Sequence, residues 1–510
     1  MIVLYHTENR VVEVFDFKSN SNIIIDARKT TEALFEIAEK NKDRILIWCH
    51  SDQKENLNRK ELQDIFSLKN MMMSFGKTQY LPESIGFIED SPFLKVNKTV
   101  KYPTWLMSSE VGTIYASQLL KFKSVIKLNL PFSYALNSIA KLGMSQGLFC
   151  YSEPRLLINS DLAISRNQAS KTMLFKFVKQ HYKWVWSFFL LFNITFYNKQ
   201  LPLFAFIKSL FVGKLKTLVD IDFEFLKKHN PTVLSIDVII PTLGRKKYLY
   251  DFLNDLRKQS ILPKKVIIVE QNEIETSFSE LDYIDNETWP FVICHKLIHK
   301  TGACNARNLA LKEVVSDYVF FADDDIRVKP NFTELALTKM QERSINAVTF
   351  SCLRPNDKKQ NFNTKQWSTF GSGCSIVKRS ALQGMNFNMV YEFNFGEDAD
   401  YGMQLRNHGT DVIYFPEPEI LHLKAPIGGF RKPHVNDWIK QGYSPKPSPT
   451  ILYYKLQHQT LQQLLGYKLV LFLKYYRSQS IKNPIIYFKT FKKQWRESVF
   501  WANKLNQIKQ

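Results

Sequence analysis

Two segments of this 510-residue chain are nearly devoid of acid. Residues 167–216 carry eight lysines and no Asp or Glu, and residues 451–510 carry eleven Lys or Arg against one acid, Glu497. These segments supply most of the net charge of +21, so the rest of the chain is close to neutral. That distribution argues against a nucleic-acid-binding surface, and no nucleic-acid partner is expected. Cysteine is also sparse: Cys49, Cys150, Cys294, Cys304, Cys352 and Cys374 are scattered, with no C-x-x-C clip. Such usage fits a reduced, cytosolic setting. The longest apolar runs fall short of the ~20 residues that span a bilayer. The opening stretch MIVLYHTENRVVEVFDF lacks the basic region, long apolar run and small-residue cleavage site of a secretory signal, so none is expected.

What fills the acid-poor segments is aromatic and aliphatic, as in YKWVWSFFLLFNITFYNKQLPLFAFIKSLF and LLGYKLVLFLKYYRSQSIKNPIIYFKTFKKQW. Lysines interleaved with rings suit a helix lying at a membrane interface, rings at headgroup depth and lysines on anionic lipid. They also suit packed helices with solvated lysine faces. The first alternative predicts a peripheral protein on the inner face of the cell membrane, held on anionic lipid.

Length and a 45% hydrophobic content call for more than one domain. Residues 1–155 mix strand-like runs (NIIID, RILIWC) with helical stretches; 156–230 read as a basic, aromatic helical linker; 231–435 alternate strands and helices; 436–510 form a basic amphipathic tail. In the third part, IDVIIP, KKVIIVE, FVICHK and DYVFFAD read as strands, with helical patterns at 248–258 and 303–315. That alternation predicts an α/β fold with a mainly parallel sheet flanked by helices, and a ligand site beyond the carboxyl ends of the strands.

At one such end, YVFFADDDIRVKP runs a buried strand into Asp323, Asp324 and Asp325. Asn331 as N-cap and Glu334 three residues on predict a capping box for the next helix. Adjacent carboxylates repel one another unless a cation joins them, and Asp323 and Asp325, bracketing a turn, suit a hard divalent ion with oxygen ligands. A solvated acidic turn is the alternative.

The triplet stands in a longer pattern. DVIIPTLGR, VIIVEQNE, TGACNARNLAL, FFADDD, FGSGCSIVKRSAL, FGEDADYGMQLRNHG and LHLKAPIGGFR follow in order, and residues 236–431 resemble the family 2 glycosyltransferases of the GT-A fold. The resemblance implies a nucleotide-sugar donor, a glycan or lipid-linked acceptor, an inverting transfer and Mg2+ or Mn2+. It implies a donor site from Pro241, Thr242 and Arg245 on the first turn, Glu270 after the second strand, Arg307, Asn308, Asp323 and Asp324, with Gly371 and Gly373 allowing close approach of the sugar. Asp323, Asp325 and His422 would hold the metal, Asp398 would be the base and Glu397 its neighbour toward the acceptor. Glu270 stands where an aspartate is usual, which leaves the donor base open. Physically, a departing nucleoside diphosphate gathers negative charge that a cation offsets, and an attacking hydroxyl must lose its proton to a carboxylate.

The first 155 residues echo this part. DRILIWCHSDQKENLNRKELQDIF lines up with DYVFFADDDIRVKPNFTELALTKM, and LFCYSEPRLL with VIYFPEPEIL. A degenerate second copy of the fold is expected there, with HSD in place of DDD and no acidic pair in PFSYALNS, hence without catalysis; an unrelated α/β domain is the alternative. Two other classes compete with the transferase. A nucleotidyltransferase calls for a glycine- and lysine/arginine-rich phosphate loop, which PTLGRKK fits poorly. A non-catalytic membrane or nucleic-acid binder has no need of Asp325, Asp398 and His422 together.

Overall fold

The computed structural model describes residues 1–159, 168–216, 221, 234–426, 435–439 and 444–508. The chain divides into two compact units, Met1–Lys228 with Thr460–Leu469, and His229–Gln459 with Val470–Gln510.

The first unit contains strands β1 (Ile2–Thr7), β2 (Arg10–Asp16), β3 (Ser21–Asn22), β4 (Ile45–His50), β5 (Met71–Phe75), β6 (Tyr102–Pro103), β7 (Val111–Tyr115) and β8 (Phe149–Ser152). Its helices are α1 (Thr30–Lys40), α2 (Ala116–Leu120), α3 (Phe132–Met144), α4 (Lys171–His181), α5 (Val185–Tyr197) and α6 (Leu203–Leu210). The sheet order is β3-β2-β1-β4-β7-β5-β8-β6. The strand expected over NIIID is cut short: β3 ends at Asn22, after which Ile23 and Ile25 pack on the core while Ile24 faces solvent. The segment expected as a linker contributes α4, whose Leu174, Phe175, Phe177 and Val178 join the core of this unit. Residues 160–167, 217–220 and 222–230 of that segment lie outside the described residues.

The second unit contains β9 (Ile236–Thr242), β10 (Lys265–Gln271), β11 (Val292–Ile298), β12 (Tyr318–Ala322), β13 (Ile326–Arg327), β14 (Ala347–Leu353), β15 (Lys365–Gln366), β16 (Cys374–Lys378) and β17 (Ile413–His422). Helices α7 (Lys246–Arg257), α8 (Tyr283–Asn286), α9 (Ala303–Leu311), α10 (Phe332–Glu342) and α11 (Glu397–Asn407) flank them, and the tail forms α12 (Pro449–His458), α13 (Leu461–Ser478), whose residues up to Leu469 belong to the first unit, and α14 (Pro484–Ile508). The order is β11-β10-β9-β12-β16-β14-β17-β13. The four strands legible in the sequence make the parallel half, β11-β10-β9-β12. Beyond them the sheet is mixed, with β16 antiparallel to both β12 and β14 and β14 parallel to β17.

Burial of Asp237 inside β9 is offset by three hydrogen bonds, from Val315 N (2.8 Å), Ser316 N (2.9 Å) and Ser316 Oγ (2.6 Å), which fix the turn entering β12. The capping box expected at α10 does not form. Asn331 makes no side-chain cap; Gln259 Oε1 accepts from Thr333 N at 3.0 Å, and Glu334 instead accepts from Ser260 Oγ at 2.7 Å. A glutamine from α7's end has taken the orphan amide that the cap would have served.

The two sheets share a pairing pattern. In the first unit β1 runs parallel to β4, β7 lies antiparallel to β4 and β5, and β5 is parallel to β8, as β9, β12, β16, β14 and β17 do in the second. Register extends the match to single residues. Ala322 pairs with Cys374 and Asp323 N donates to Gly373 O; Cys49 pairs with Val111 and His50 N donates to Glu110 O. His50 thus stands where Asp323 stands, and Glu110 where Gly373 stands. Likewise Ser133, second residue of α3, contacts Ser109 Oγ at 2.8 Å, while Asp398, second residue of α11, accepts from Ser372 N at 3.2 Å.

Candidate active site

The ends of β9, β12, β14 and β17 and the start of α11 surround the acidic turn. Its middle residue, Asp324, is buried: Oδ2 accepts from Thr242 Oγ1 and Oδ1 from Arg245 Nη1, both at 2.7 Å. Burial raises its pKa to about 6, against the pull of the Arg245 guanidinium. Both Asp324 oxygens are therefore committed to the scaffold, and Arg245, from the turn after Pro241 and Thr242, lies 3.4 Å from Asp325 as well.

Asp325 is 2% exposed at its side chain. Its Oδ2 accepts from Ala425 N at 2.8 Å and its backbone O from Leu423 N at 2.9 Å, so the strand end carrying His422 is fastened to it. Oδ1 is buried without a hydrogen bond of good geometry and lies 3.3 Å from His422 Nε2. Asp325 holds the His422 pKa above its ordinary value. Among the described residues no three His, Cys, Asp or Glu side chains are gathered as a ready metal site. The orphaned Asp325 oxygen and the neighbouring imidazole nitrogen nonetheless fit a hard cation whose other positions are taken by water and phosphate oxygens. Residues 427–431, the end of the LHLKAPIGGFR motif, lie outside the described residues.

Asp323 is the exposed member, with 37% of its side chain accessible. Arg307 Nη2 donates to its Oδ1 at 3.1 Å. Gly373 faces the same carboxylate: a Cβ there would lie 2.2 Å from Asp323 Oδ2. This glycine makes room for Asp323, a more immediate reason than approach to a sugar. Gly371 is similarly pressed, its Cβ position 2.7 Å from Cys374 Sγ.

Arg307 is the cation at the centre. It is 5% exposed, lies over the Phe387 ring at 5.5 Å, and keeps Nε and Nη1 without partners. The charges of Asp323, Asp398 and Glu397 surround it. Asn308, one residue on, has spent its amide: Nδ2 donates to Phe387 O at 2.8 Å and Oδ1 accepts from Phe387 N at 2.7 Å. It pins the loop on which Arg307 rests.

The acidic pair opens α11. Burial first, and then the charge of Asp398, push Glu397 up to about 7. Burial raises Asp398 as well, with Arg307 opposing. The third acid of GEDADYG, Asp400, has a different task, receiving Gln404 Nε2 and lying 2.8 Å from His458 Nε2 on α12. Glu270, at the end of β10, is held by His295 Nε2 (2.8 Å), Ser279 Oγ (2.6 Å) and Glu280 N (3.0 Å). Burial pushes its pKa up, but these bonds outweigh it and leave the carboxyl below its ordinary value.

Residues 237–396 match the model for glycosyl transferase family 2. The matched segment contains every candidate residue above except Glu397, Asp398 and His422, which follow it. A curated relative, the glycosyltransferase GlyG of Streptococcus pneumoniae serotype 4, is 24% identical over 127 residues. That match takes in 25% of this chain and 42% of the relative, less than half its length. Similar solved structures include S. aureus TarS 1-349 with UDP-GlcNAc, at 15% identity and TM-score 0.35, covering 53% of this chain and 74% of that one. The same protein with UDP gives 17% identity and TM-score 0.34, covering 49% and 74%. The family 2 segment and the mixed sheet with its parallel half agree with the GT-A type fold that the sequence led us to expect.

Sequence reasoning missed Glu392. Its carboxylate accepts from Cys304 N at 3.1 Å and Asn305 N at 2.8 Å, holding the start of α9, and Gly302 (φ 140°) has no room for a Cβ beside it. No local pattern announces it, because its partners lie nearly ninety residues earlier in the chain. His295 and Ser279, which orient Glu270, were missed as well, although they lie only 25 and 9 residues after it, because neither belongs to a motif.

Proposed function

We propose that the second unit moves a sugar from a nucleoside-diphosphate donor to a hydroxyl of a glycan or lipid-linked acceptor, with inversion at the anomeric carbon, in the building of a bacterial-type surface glycan. The observation that carries this reading is Arg307, a buried guanidinium with two unpartnered donors between Asp323 and the acidic pair of α11, within a family 2 segment. A cation so placed suits a diphosphate. The name of the relative GlyG, a glycosyltransferase, supports the same class.

Each group then has a task. Glu270, fixed by three hydrogen bonds, accepts from the nucleotide beside Pro241 and Thr242. Arg307 meets the phosphates, and Asp324 and Asn308 position the two arginines and their loop. Asp325 and His422, with Asp323, would hold Mg2+ or Mn2+, which would supply positive charge to the departing diphosphate. Asp398 takes the acceptor proton as the oxygen forms its bond to the anomeric carbon; the bond to the β-phosphate oxygen breaks and the nucleoside diphosphate leaves with the electron pair. Glu397 orients the acceptor. Gly371 and Gly373 keep the wall opposite α11 thin.

We read the first unit as a catalytically silent copy: His50 and Glu110 stand at the positions of Asp323 and Gly373, and Phe132 and Ser133 at those of Glu397 and Asp398. The protein works as a peripheral one on the cytoplasmic face of an anionic membrane, where lipid-linked acceptors are met; no described helix is long and apolar enough to cross. Incubation with UDP-, GDP- and dTDP-sugars, with Mn2+ or with chelator, tests the reading. Metal-dependent hydrolysis of one donor class is expected; binding of none of them would overturn it.

A further inference from the structure

Residues 184–211 do not send all their apolar side chains inward. On α5 the side bearing Leu190, Asn193 and Ile194 is buried, and on α6 that bearing Ala205, Phe206 and Ser209. The other side of α5 carries Trp184, Phe188, Phe192 and Phe196, four residues apart and hence one stripe, with exposures from 44% to 63%. Phe204 on α6 is 68% exposed and Phe211 beyond it 86%. The helices touch where Phe188 of the exposed stripe meets the buried Phe206, ring centroids 4.9 Å apart, so the exposed rings of both helices belong to one part of the surface. Exposed apolar side chains gathered in this way mark an interaction site.

Charge selects the occupant. Lys183, Lys199, Lys208 and Lys214 are exposed on these helices and their flanks, Lys199 Nζ lying 5.3 Å from the Phe196 ring and Lys208 Nζ 4.3 Å from that of Phe204. No acid occurs from 167 to 216. A second copy of the same face would set lysine against lysine, which is unfavourable. An anionic bilayer satisfies rings and lysines together. At 13 residues α5 is roughly 20 Å long, too short to span, and so lies in the plane of the interface.

We propose that the α5–α6 face is the surface by which the protein docks on anionic lipid, with its rings at the boundary of headgroups and acyl chains and its lysines on the headgroups. This rests on the peripheral-membrane reading above and assigns that contact to one surface. The C-terminal tail buries Tyr487, Phe491, Trp495 and Trp501 and leaves Ile485, Ile486, Phe488 and Phe500 exposed.

The test is flotation of the full chain with phosphatidylcholine vesicles, with and without phosphatidylserine, for the wild type and for Phe188→Asp combined with Phe192→Asp. The wild type is expected to float with the anionic vesicles, less in high salt but not negligibly, and the double variant at least about tenfold less, with donor hydrolysis and melting temperature retained. Equal flotation of the two proteins would overturn the assignment of this surface while leaving the membrane reading in place. No flotation of the wild type would overturn the membrane reading and this surface with it. A lipid-free dimer that the double variant dissolves would show the occupant to be a second copy, against the proposal.

Discussion

Replacing Gly373 by alanine probes the site through geometry. The new Cβ would sit 2.2 Å from Asp323 Oδ2 and 2.3 Å from its Cγ, where ordinary contacts begin near 3.4 Å. The carboxylate must therefore move by more than 1 Å. Because 37% of the Asp323 side chain is accessible, it can swing outward rather than deform the sheet, so the stability cost is expected at about 1–2 kcal/mol, the lower part of the range for overpacking. That lowers the melting temperature by only a few degrees. The swing, however, takes away the one hydrogen bond of Arg307, whose Nε and Nη1 are already unpartnered. A displacement of this size next to the reacting groups is worth ~10²-fold in rate. The expected outcome for Gly373→Ala is thus kcat/KM for donor hydrolysis down by about 10²-fold in a protein that melts nearly normally. Full activity in a folded variant would refute the reasoning, since Asp323 and Arg307 would then have no positional role.

Three further outcomes are expected. Turnover should rise with pH above the ordinary carboxylate range, because the base Asp398 must be deprotonated and burial holds it upward, beside Glu397, itself pushed up to about 7; a rate flat from about pH 5.5 to 8.5 would contradict that assignment. Asp398→Asn should leave donor affinity nearly intact and cut turnover by about 10²-fold or more; a collapse in donor affinity would make Asp398 a binding residue instead. In the first unit, His50→Ala with Asp52→Ala should leave metal-dependent turnover within about twofold in a folded protein, since neither residue belongs to the proposed site of the second unit; a large loss in a folded protein would reveal a second active site.

The parts of this molecule that were legible in the sequence are those written locally. Four strands of the parallel half, the acidic turn after β12 and the acidic pair at the start of α11 follow from runs of adjacent residues. What each group touches did not, because its partner arrives from elsewhere in the chain. The Asn308 amide is used up by Phe387, Asp324 by Thr242 and Arg245, and Gly373 is small on account of Asp323, fifty residues before it. The capping pattern at α10 failed for a like reason, as Gln259 reached the helix first. The aromatics of the two basic segments were ambiguous too: a ring beside a lysine reads alike whether it packs, as Trp495 does, or faces out, as Phe192 does. The correspondence of the two sheets was visible only as echoes of sequence until strand register aligned His50 with Asp323.

The most direct measurement is a metal titration of nucleotide-sugar binding, by calorimetry, for the wild type and for Asp325→Asn. The substitution keeps the shape of a side chain only 2% exposed but removes the negative oxygen beside His422. Tight donor binding that depends on Mg2+ or Mn2+ in the wild type, and a loss of that dependence by tenfold or more (about 1.4 kcal/mol) in a folded Asp325→Asn, is the result expected. Identical metal titrations for the two proteins would contradict the account.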